Sequence, residues 1–304
     1  MSLPADHAER IARARLSLEG LSLGDAFGER YFAHPHTVEQ LIADRALARA
    51  PWAWTDDTAM ALSIVEVLDR HAGIDADALA HAFARRYRHE PGRGYGGGAH
   101  QILGALVVGV PWPTAARLVF DGEGSMGNGG AMRVAPVGAY FADDLERVAE
   151  HASRSAMVTH AHPDGQAGAI AIAVAAAVAA RMAQGGGKAR DGTALLEAAL
   201  AHTPPGATHD GIASALALDR GADVRTAAAR LGNGSHVISS DTVPLALWCA
   251  ARHLDDFEEA MWTTVAALGD RDTTCAIVGG IVAPSVGRAA LPAEWLRARE
   301  PLEA

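Results

Sequence analysis

Along almost the whole chain, apolar residues recur every three or four positions, the period of helices that bury one face. Ile11, Leu16 and Leu18 lead into "GLSLGDAFGERYF", which predicts a helix ending near Gly28. The same spacing predicts helices in "TAMALSIVEVLDRH", "DADALAHAFARRY", "AHQILGALVVGV", "GTALLEAALAH" and "GIASALALDRG". It does so again in "DVRTAAARLG", "TVPLALWCAARH", "FEEAMWTTVAALG" and "TTCAIVGGIVAPSVG". The most apolar run, "AGAIAIAVAAAVAA" at 167–180, falls short of the roughly 20 residues of a membrane span and predicts a buried core helix. No long alternating Val/Ile/Thr segment predicts a strand; "GSHVISS" at 234–240 reads at most as a short extended piece. Glycine and proline clusters punctuate the helices: "HEPGRGYGGG", "DGEGSMGNGGAMR", "AQGGGKARDG" and "HTPPGATHDG". The third reads as a flexible surface loop. With no long linker and no regular repeat, residues 1–304 read as a single compact all-α domain.

Composition agrees with that reading. Aromatic residues are only 5% and alanine is abundant, which suits closely packed helices. The net charge is −10 and no Lys/Arg cluster stands out, so a general nucleic-acid surface is not expected. An acidic chain can still hold a small anion through backbone N–H groups, or through metals gripped by carboxylates. Cys249 and Cys275 each lie in an apolar stretch without metal-ligand spacing, and read as buried thiols of a reducing compartment. The first residues carry acids among their bases and no apolar core of a signal peptide. The expected location is cytoplasmic.

Two stretches stand apart chemically. "WTDDTAMAL" sets Asp56 and Asp57 at a helix start behind Thr55, which is a good helix cap; acids there also complement the helix dipole. The flank "APWAW" implies burial, and adjacent buried carboxylates without a cation are costly. "GDRDTTCAIVGGI" repeats the device with Asp270, Asp272 and Thr273. If the two helix starts meet, four carboxylates converge, and one or two divalent cations would relieve their repulsion. All-oxygen ligands select Mg²⁺ or Mn²⁺ over zinc. Between them, "GSMGNGGAMR" at 124–133 is either a surface turn or a loop presenting N–H groups to a phosphate at a helix N-terminus. "PGRGYGGGAHQ" at 91–101 is a second glycine-rich turn, with Tyr95 free to stack or hydrogen-bond. In "VTHAHPDG" the two histidines at i and i+2 do not share a helical face, so they do not read as a zinc pair. His160, after Thr159, reads as a substrate contact.

In their order these motifs resemble the ADP-ribosylglycohydrolase family, of the dinitrogenase-reductase-activating glycohydrolase type. The resemblance runs through "GLSLGDAFGERYF", "WTDDTAMAL", "GRGYGGGAHQIL", "GNGGAMRVAPVGAYF", "VTHAHPDG", "SSDTVPLALWCA" and "GDRDTTCAIVGGIVAP", nearly the whole chain. It implies a compact orthogonal multi-helix globule with two Mg²⁺ or Mn²⁺ ions at the bottom of a cleft. Thr55, Asp56 and Asp57 would supply one half of the metal cage, and Asp270, Asp272 and Thr273 the other. Asp25 is placed beside the site. Gly127, Asn128, Gly129 and Gly130 match a diphosphate cradle continuing to Met132, His160 matches a substrate contact, and Tyr95 and Gly96 lie near the distal ribose. There are two departures. Arg271 stands where the family usually has threonine between the last two acids, and by sequence it can point away or contact a phosphate or Asp25. Glu29 fills the place of a catalytic flap glutamate, at a closer spacing from Asp25 than in some relatives.

The resemblance implies hydrolysis of an ADP-ribosyl bond, with free ADP-ribose or an ADP-ribosylated macromolecule as ligand and Asp57 or Asp272 taking the proton. Two other readings are a non-catalytic ADP-ribose or nucleotide binder and a metal-dependent hydrolase of another nucleotide-like substrate. The intact acid set favours the enzyme. A monomer without membrane attachment is expected.

Overall fold

A computed structural model describes residues 3–184, 190–219 and 221–302, so the glycine-rich loop expected at 183–192 lies largely outside the described residues. Within them are seventeen α-helices, three short 3₁₀ turns and no strand. The "GSHVISS" segment contributes only an isolated antiparallel bridge between Gly127 and Ile238. One hydrophobic cluster runs from Ile11 to Trp295 and includes residues of nearly every long helix.

The helix expected to end near Gly28 spans His7–Gly28 and passes straight into a 3₁₀ turn, Glu29–Tyr31. The acid-led helix spans Asp56–His71. Thr55 caps it by accepting from the Asp57 N–H, and Arg70 and His71 sit in its last turn. Acids first and bases last match the dipole at both ends. The apolar run at 167–180 belongs to a longer helix, Pro163–Gln184. By length and composition that helix is long and apolar enough to cross a membrane, but its alanines and valines from Ala167 to Ala180 are buried in the protein core. It packs against Leu145–Met157, Ala135–Tyr140 and Arg271–Val286.

At the centre, the His7–Gly28 and Arg271–Val286 helices lie side by side with their backbones in contact. Gly20, Gly24 and Gly28 fall four residues apart on one face. A Cβ at Gly20 would overlap Ala283 and the Gly279 carbonyl; at Gly24 it would overlap the Cys275 carbonyl, and at Gly28 the Arg271 carbonyl. The Ser17 hydroxyl donates to the Gly280 carbonyl at 2.7 Å across the same seam. This is glycine used for close approach. It fixes the start of the second helix, and hence Asp272, against the end of the first.

Gly24→Ala is therefore expected to lower unfolding free energy by about 2 kcal/mol or more, the scale of overpacking in a core that cannot yield. Gly92→Ala, at an exposed glycine with open space around it, should stay within about 0.5 kcal/mol. Urea denaturation of both variants checks the contrast; equal stabilities would mean the two helices slide apart freely.

Candidate active site

The first acid cluster is held from behind. The extended segment before Thr55 is pinned to the C-terminal segment: Trp52 N–H donates to the Ala298 carbonyl at 2.7 Å, and Glu300 N–H to the Trp52 carbonyl at 2.8 Å. Arg93 adds a clamp, bonding Glu300, Glu90 and the Trp54 carbonyl while its guanidinium lies 3.5 Å from the Trp54 ring centre. Beneath, the fully buried Asp25 carboxylate accepts from Thr55 N–H (2.9 and 3.1 Å), Thr55 Oγ1 (2.9 Å), Thr58 N–H (3.1 Å) and Thr58 Oγ1. Burial pushes Asp25 up to about 6, against the pull of these donors. Its oxygens are taken up by the helix start it supports, so Asp25, which the sequence places beside the site, orients its neighbours.

Asp57 is buried. Its Oδ2 lies 3.0 Å from Thr55 Oγ1, whose single proton is shared between Asp57 and Asp25, while its Oδ1 has no partner. Burial and the neighbouring aspartates hold it well above the usual carboxylate range. Asp56 is pushed up to about 8, by burial first and then by Asp25, Asp272 and Asp270.

The second cluster faces the first. Asp270 N–H donates to the Asn233 carbonyl at 3.0 Å, and the Asp270 carboxylate accepts from Asn128 Nδ2 at 2.7 Å and from Thr273. Burial and Asp272 raise Asp270 to about 7. Asp272 is raised to about 6 by burial and Asp25, and its Oδ1, like that of Asp57, is buried without a partner. All five aspartates thus act on one another electrostatically. Even so, among the described residues no three His, Cys, Asp or Glu side chains already stand in the spacing of a formed metal cage.

The glycine loop commits half of its N–H groups within the protein. Two of its four N–H groups are committed: Gly127 N–H to Ser125 Oγ at 3.0 Å, and Asn128 N–H to the Val237 carbonyl at 3.2 Å. Those of Gly129 and Gly130 have no acceptor among the described residues. The following helix, Gly129–Met132, is only four residues long and is separate from Ala135–Tyr140. Packing explains the glycines better: a Cβ on Gly129 would lie 3.1 Å from the His160 ring, and one on Gly130 would lie 3.0 Å from the Gly165 carbonyl. Met132 is buried at the back of the loop. Asn128 Nδ2 also donates to Thr242 Oγ1 at 3.0 Å, so its amide braces Asp270.

Tyr95 is buried edge-on to Tyr87 and close enough to Asp56 to feel its charge. Gly94, with φ +93°, brings this loop to Asp56, while Gly96 is exposed with open space around it. Glu29 is half-buried, raised by burial, and within the field of Asp272. The Arg271 guanidinium lies 5.0 Å from the Phe32 ring centre, so it contacts that half-exposed aromatic and not Asp25. His160 is buried and lowered to about 3 by burial and by Arg133. Thr58, Thr242, Asn233 and Arg133 carry structural weight here that the sequence reading did not assign. Thr58 was within reach, as part of the same "TDDT" stretch.

Comparison with known proteins shows the family. The ADP-ribosylglycohydrolase family model matches residues 6–303. ADP-ribosylhydrolase ARH3 of Mus musculus is 30% identical over 97% of this chain and 90% of that protein. ADP-ribosylarginine hydrolase Tri1 of Pseudomonas putida is 24% identical over 95% of this chain and 74% of its own length. A solved chain described as an ADP-ribosylglycohydrolase-related protein complex superposes with TM-score 0.68, at 24% identity over 96% of this chain and 94% of its own. The chain belongs to the ADP-ribosylglycohydrolase family of hydrolytic enzymes.

Proposed function

We propose that this enzyme cleaves the bond joining an ADP-ribosyl group, at its anomeric carbon, to an acceptor macromolecule, and that it works with two divalent cations, Mg²⁺ or Mn²⁺. The observation that carries the proposal is the pair of buried, unpartnered carboxylate oxygens, Asp57 Oδ1 and Asp272 Oδ1, one from each acid cluster. A buried carboxylate oxygen without a donor is costly unless a cation or ligand completes it. The donor set of Thr55, Asp56, Asp57, Asp270, Asp272 and Thr273 is all oxygen, as hard cations require. Asp25 is left out of the set because its oxygens are already engaged. When bound, the cations would supply Lewis-acid stabilisation of developing charge and an acidified water.

The chain's own groups do the rest. Asp25 holds the Thr55–Thr58 turn so that Asp56 and Asp57 face the second cluster. Asn128 and Thr273 hold Asp270. Asp57 and Asp272 are the candidate proton acceptors, each with one carboxylate oxygen that has no protein partner. Glu29, beside Asp272 and half-buried, is the third candidate. The Gly129 and Gly130 N–H groups and His160 are the donors available to the diphosphate, with Gly127 and Asn128 shaping the loop around them. Tyr95 and Gly96 flank the first cluster on the distal ribose side. The two buried free thiols suit the cytoplasmic location we propose.

Asp57→Ala and Asp272→Ala should each reduce release of ADP-ribose from an ADP-ribosylated protein panel by roughly a hundredfold or more, the scale on which losing one preorganised charged contact acts. Calorimetric binding of Mg²⁺ or Mn²⁺ should vanish with it. Undiminished hydrolysis by these variants in chelator would sink the proposal.

A second expectation concerns pH. An unfolded aspartate releases its proton near pH 4, whereas Asp272, Asp270 and Asp56 hold theirs to about 6, 7 and 8, and Asp57 is also well raised. Across that window the folded chain binds more protons at these groups than the unfolded one, so their contribution to stability falls as pH rises. Asp57→Asn removes one member of the set. In chelator it should therefore melt at a higher temperature than the wild type, by a margin that widens between about pH 5 and about pH 8. Added Mg²⁺ or Mn²⁺ should raise the wild-type melting temperature and scarcely move the variant. A margin independent of pH would show that Asp57 is not crowded by its neighbours.

A further inference from the structure

Arg133 is among the largest side chains fully enclosed by the protein, and among the described residues it forms no ion pair. Its two Nη groups are instead held by neutral groups, while Nε is buried without a hydrogen-bond partner. Nη1 lies 3.4 Å from Met60 Sδ, and Nη2 donates to the Ser155 carbonyl at 3.1 Å and to Thr159 Oγ1 at 2.8 Å. The plane sits 4.6 Å from the centre of the Phe83 ring. From Thr159 Oγ1 the chain of hydrogen bonds continues to His160 Nδ1 at 2.7 Å.

The direction of these bonds follows from the groups themselves. An arginine can only donate. Thr159 Oγ1 therefore accepts from Arg133 and keeps its single proton for another partner. His160 Nδ1 is the partner within reach, so Nδ1 must present its lone pair. The reverse assignment, a proton on Nδ1, would make Thr159 accept twice and strand its own proton inside the protein, at a cost. A doubly protonated ring is excluded for the same reason. The proton of the neutral ring then sits on Nε2. That atom lies against the glycine loop, 3.5 Å from where a Cβ on Gly127 would stand and 3.3 Å from one on Gly129. The two uncommitted N–H groups, of Gly129 and Gly130, belong to the same loop.

We propose that Arg133 is a positioning residue: acting through the Thr159 hydroxyl, it locks His160 as the neutral Nε2–H tautomer and makes it a standing hydrogen-bond donor to an anionic oxygen of the ligand, here the diphosphate. The diphosphate rests on the ADP-ribosyl reading above; the tautomer does not. The arrangement suits a site crowded with aspartates. A neutral donor can meet an anion without forming an ion pair with those acids, and its orientation needs no adjustment on binding. Burial and the nearby Arg133 charge, which keep the ring from protonating until about pH 3, act in the same direction.

The test is nitrogen NMR of protein labelled with ¹⁵N-histidine, with the His160 signals assigned by their loss in His160→Gln. In the wild type without ligand, Nε2 should carry the proton and Nδ1 should not, throughout the range where the protein is folded. Arg133→Met and Thr159→Val should each give a mixture of tautomers, while Thr159→Ser should keep the wild-type pattern. ADP-ribose affinity, measured by calorimetry, should fall roughly tenfold or more in Thr159→Val, the worth of one hydrogen bond to a charged group, and recover in Thr159→Ser. A proton on Nδ1 in the wild type would overturn the proposal. So would an unchanged tautomer and unchanged affinity in both Arg133→Met and Thr159→Val. Failure of the wild type to bind ADP-ribose at all would overturn the ADP-ribosyl reading instead, because the tautomer is read without ligand.

Discussion

The His7–Gly28 and Arg271–Val286 helices touch backbone to backbone, and the site is built on that contact. Gly24 and Gly28 bracket Asp25, and the carbonyls they press against belong to Cys275 and Arg271. The seam therefore sets where the second acid pair stands relative to the carboxylate that holds the first. Asp25 carries this placement onward through its bonds to Thr55 and Thr58. The pinning of Trp52 and Trp54 by the C-terminal segment and Arg93 closes the arrangement from outside. One methyl group inserted into the seam would separate Asp57 from Asp272 by shifting a whole helix. Functional sites need their first ring of groups held to within a fraction of an ångström, and contact between two helix backbones leaves little freedom to lose.

The aspartates divide their work according to how well they are satisfied. Asp25 is the most completely bonded, and its donors offset much of the cost of its burial. Asp57 is buried and Asp272 partly so, each with a buried oxygen left open. Removing either kind would have different consequences, one loosening a helix start and the other relieving repulsion. Arg133 belongs to the same balance. It is a buried cation whose charge is favoured by Asp56 at a distance, with neutral groups in direct contact. Placing that charge behind the loop keeps it from pairing with a site carboxylate, which would occupy an oxygen the site leaves open.

Much of this could be read from the sequence, for identifiable reasons. Leu and Ala at helical spacing announced most of the helices. The helix at Leu145–Met157 escaped because its inner face is built from Ala152, Ser155, Ala156 and His151 beside a single Val148, a weak apolar signal. The acid clusters were legible because each joins two carboxylates and a threonine at a helix start, and a repeated unlikely combination is informative. The reach of Asp25 to Thr55 was not legible, since nothing in "GLSLGDAFG" says which partner a buried carboxylate will find. At 127–130 the sequence leaves open a turn or a loop of free N–H groups, because composition cannot separate a glycine needed for its amide from one needed for its missing Cβ. Arg133 passed unassigned for a similar reason: an arginine destined for the core looks like any other in the chain.

Arg271 shows how local geometry can separate neighbours in sequence. It stands between Asp270 and Asp272, and by position alone it could neutralise either. At the start of a helix, however, successive side chains fan out by about 100°. Asp270 is thereby turned toward Asn128 and Asp272 toward Asp25, while the guanidinium lies over Phe32 at the protein surface. Exchanging a threonine for an arginine at this position therefore alters the rim, where Phe32 and Glu29 are partly exposed, and leaves the acids below facing one another. The cage and its rim can vary independently because one turn of helix divides them.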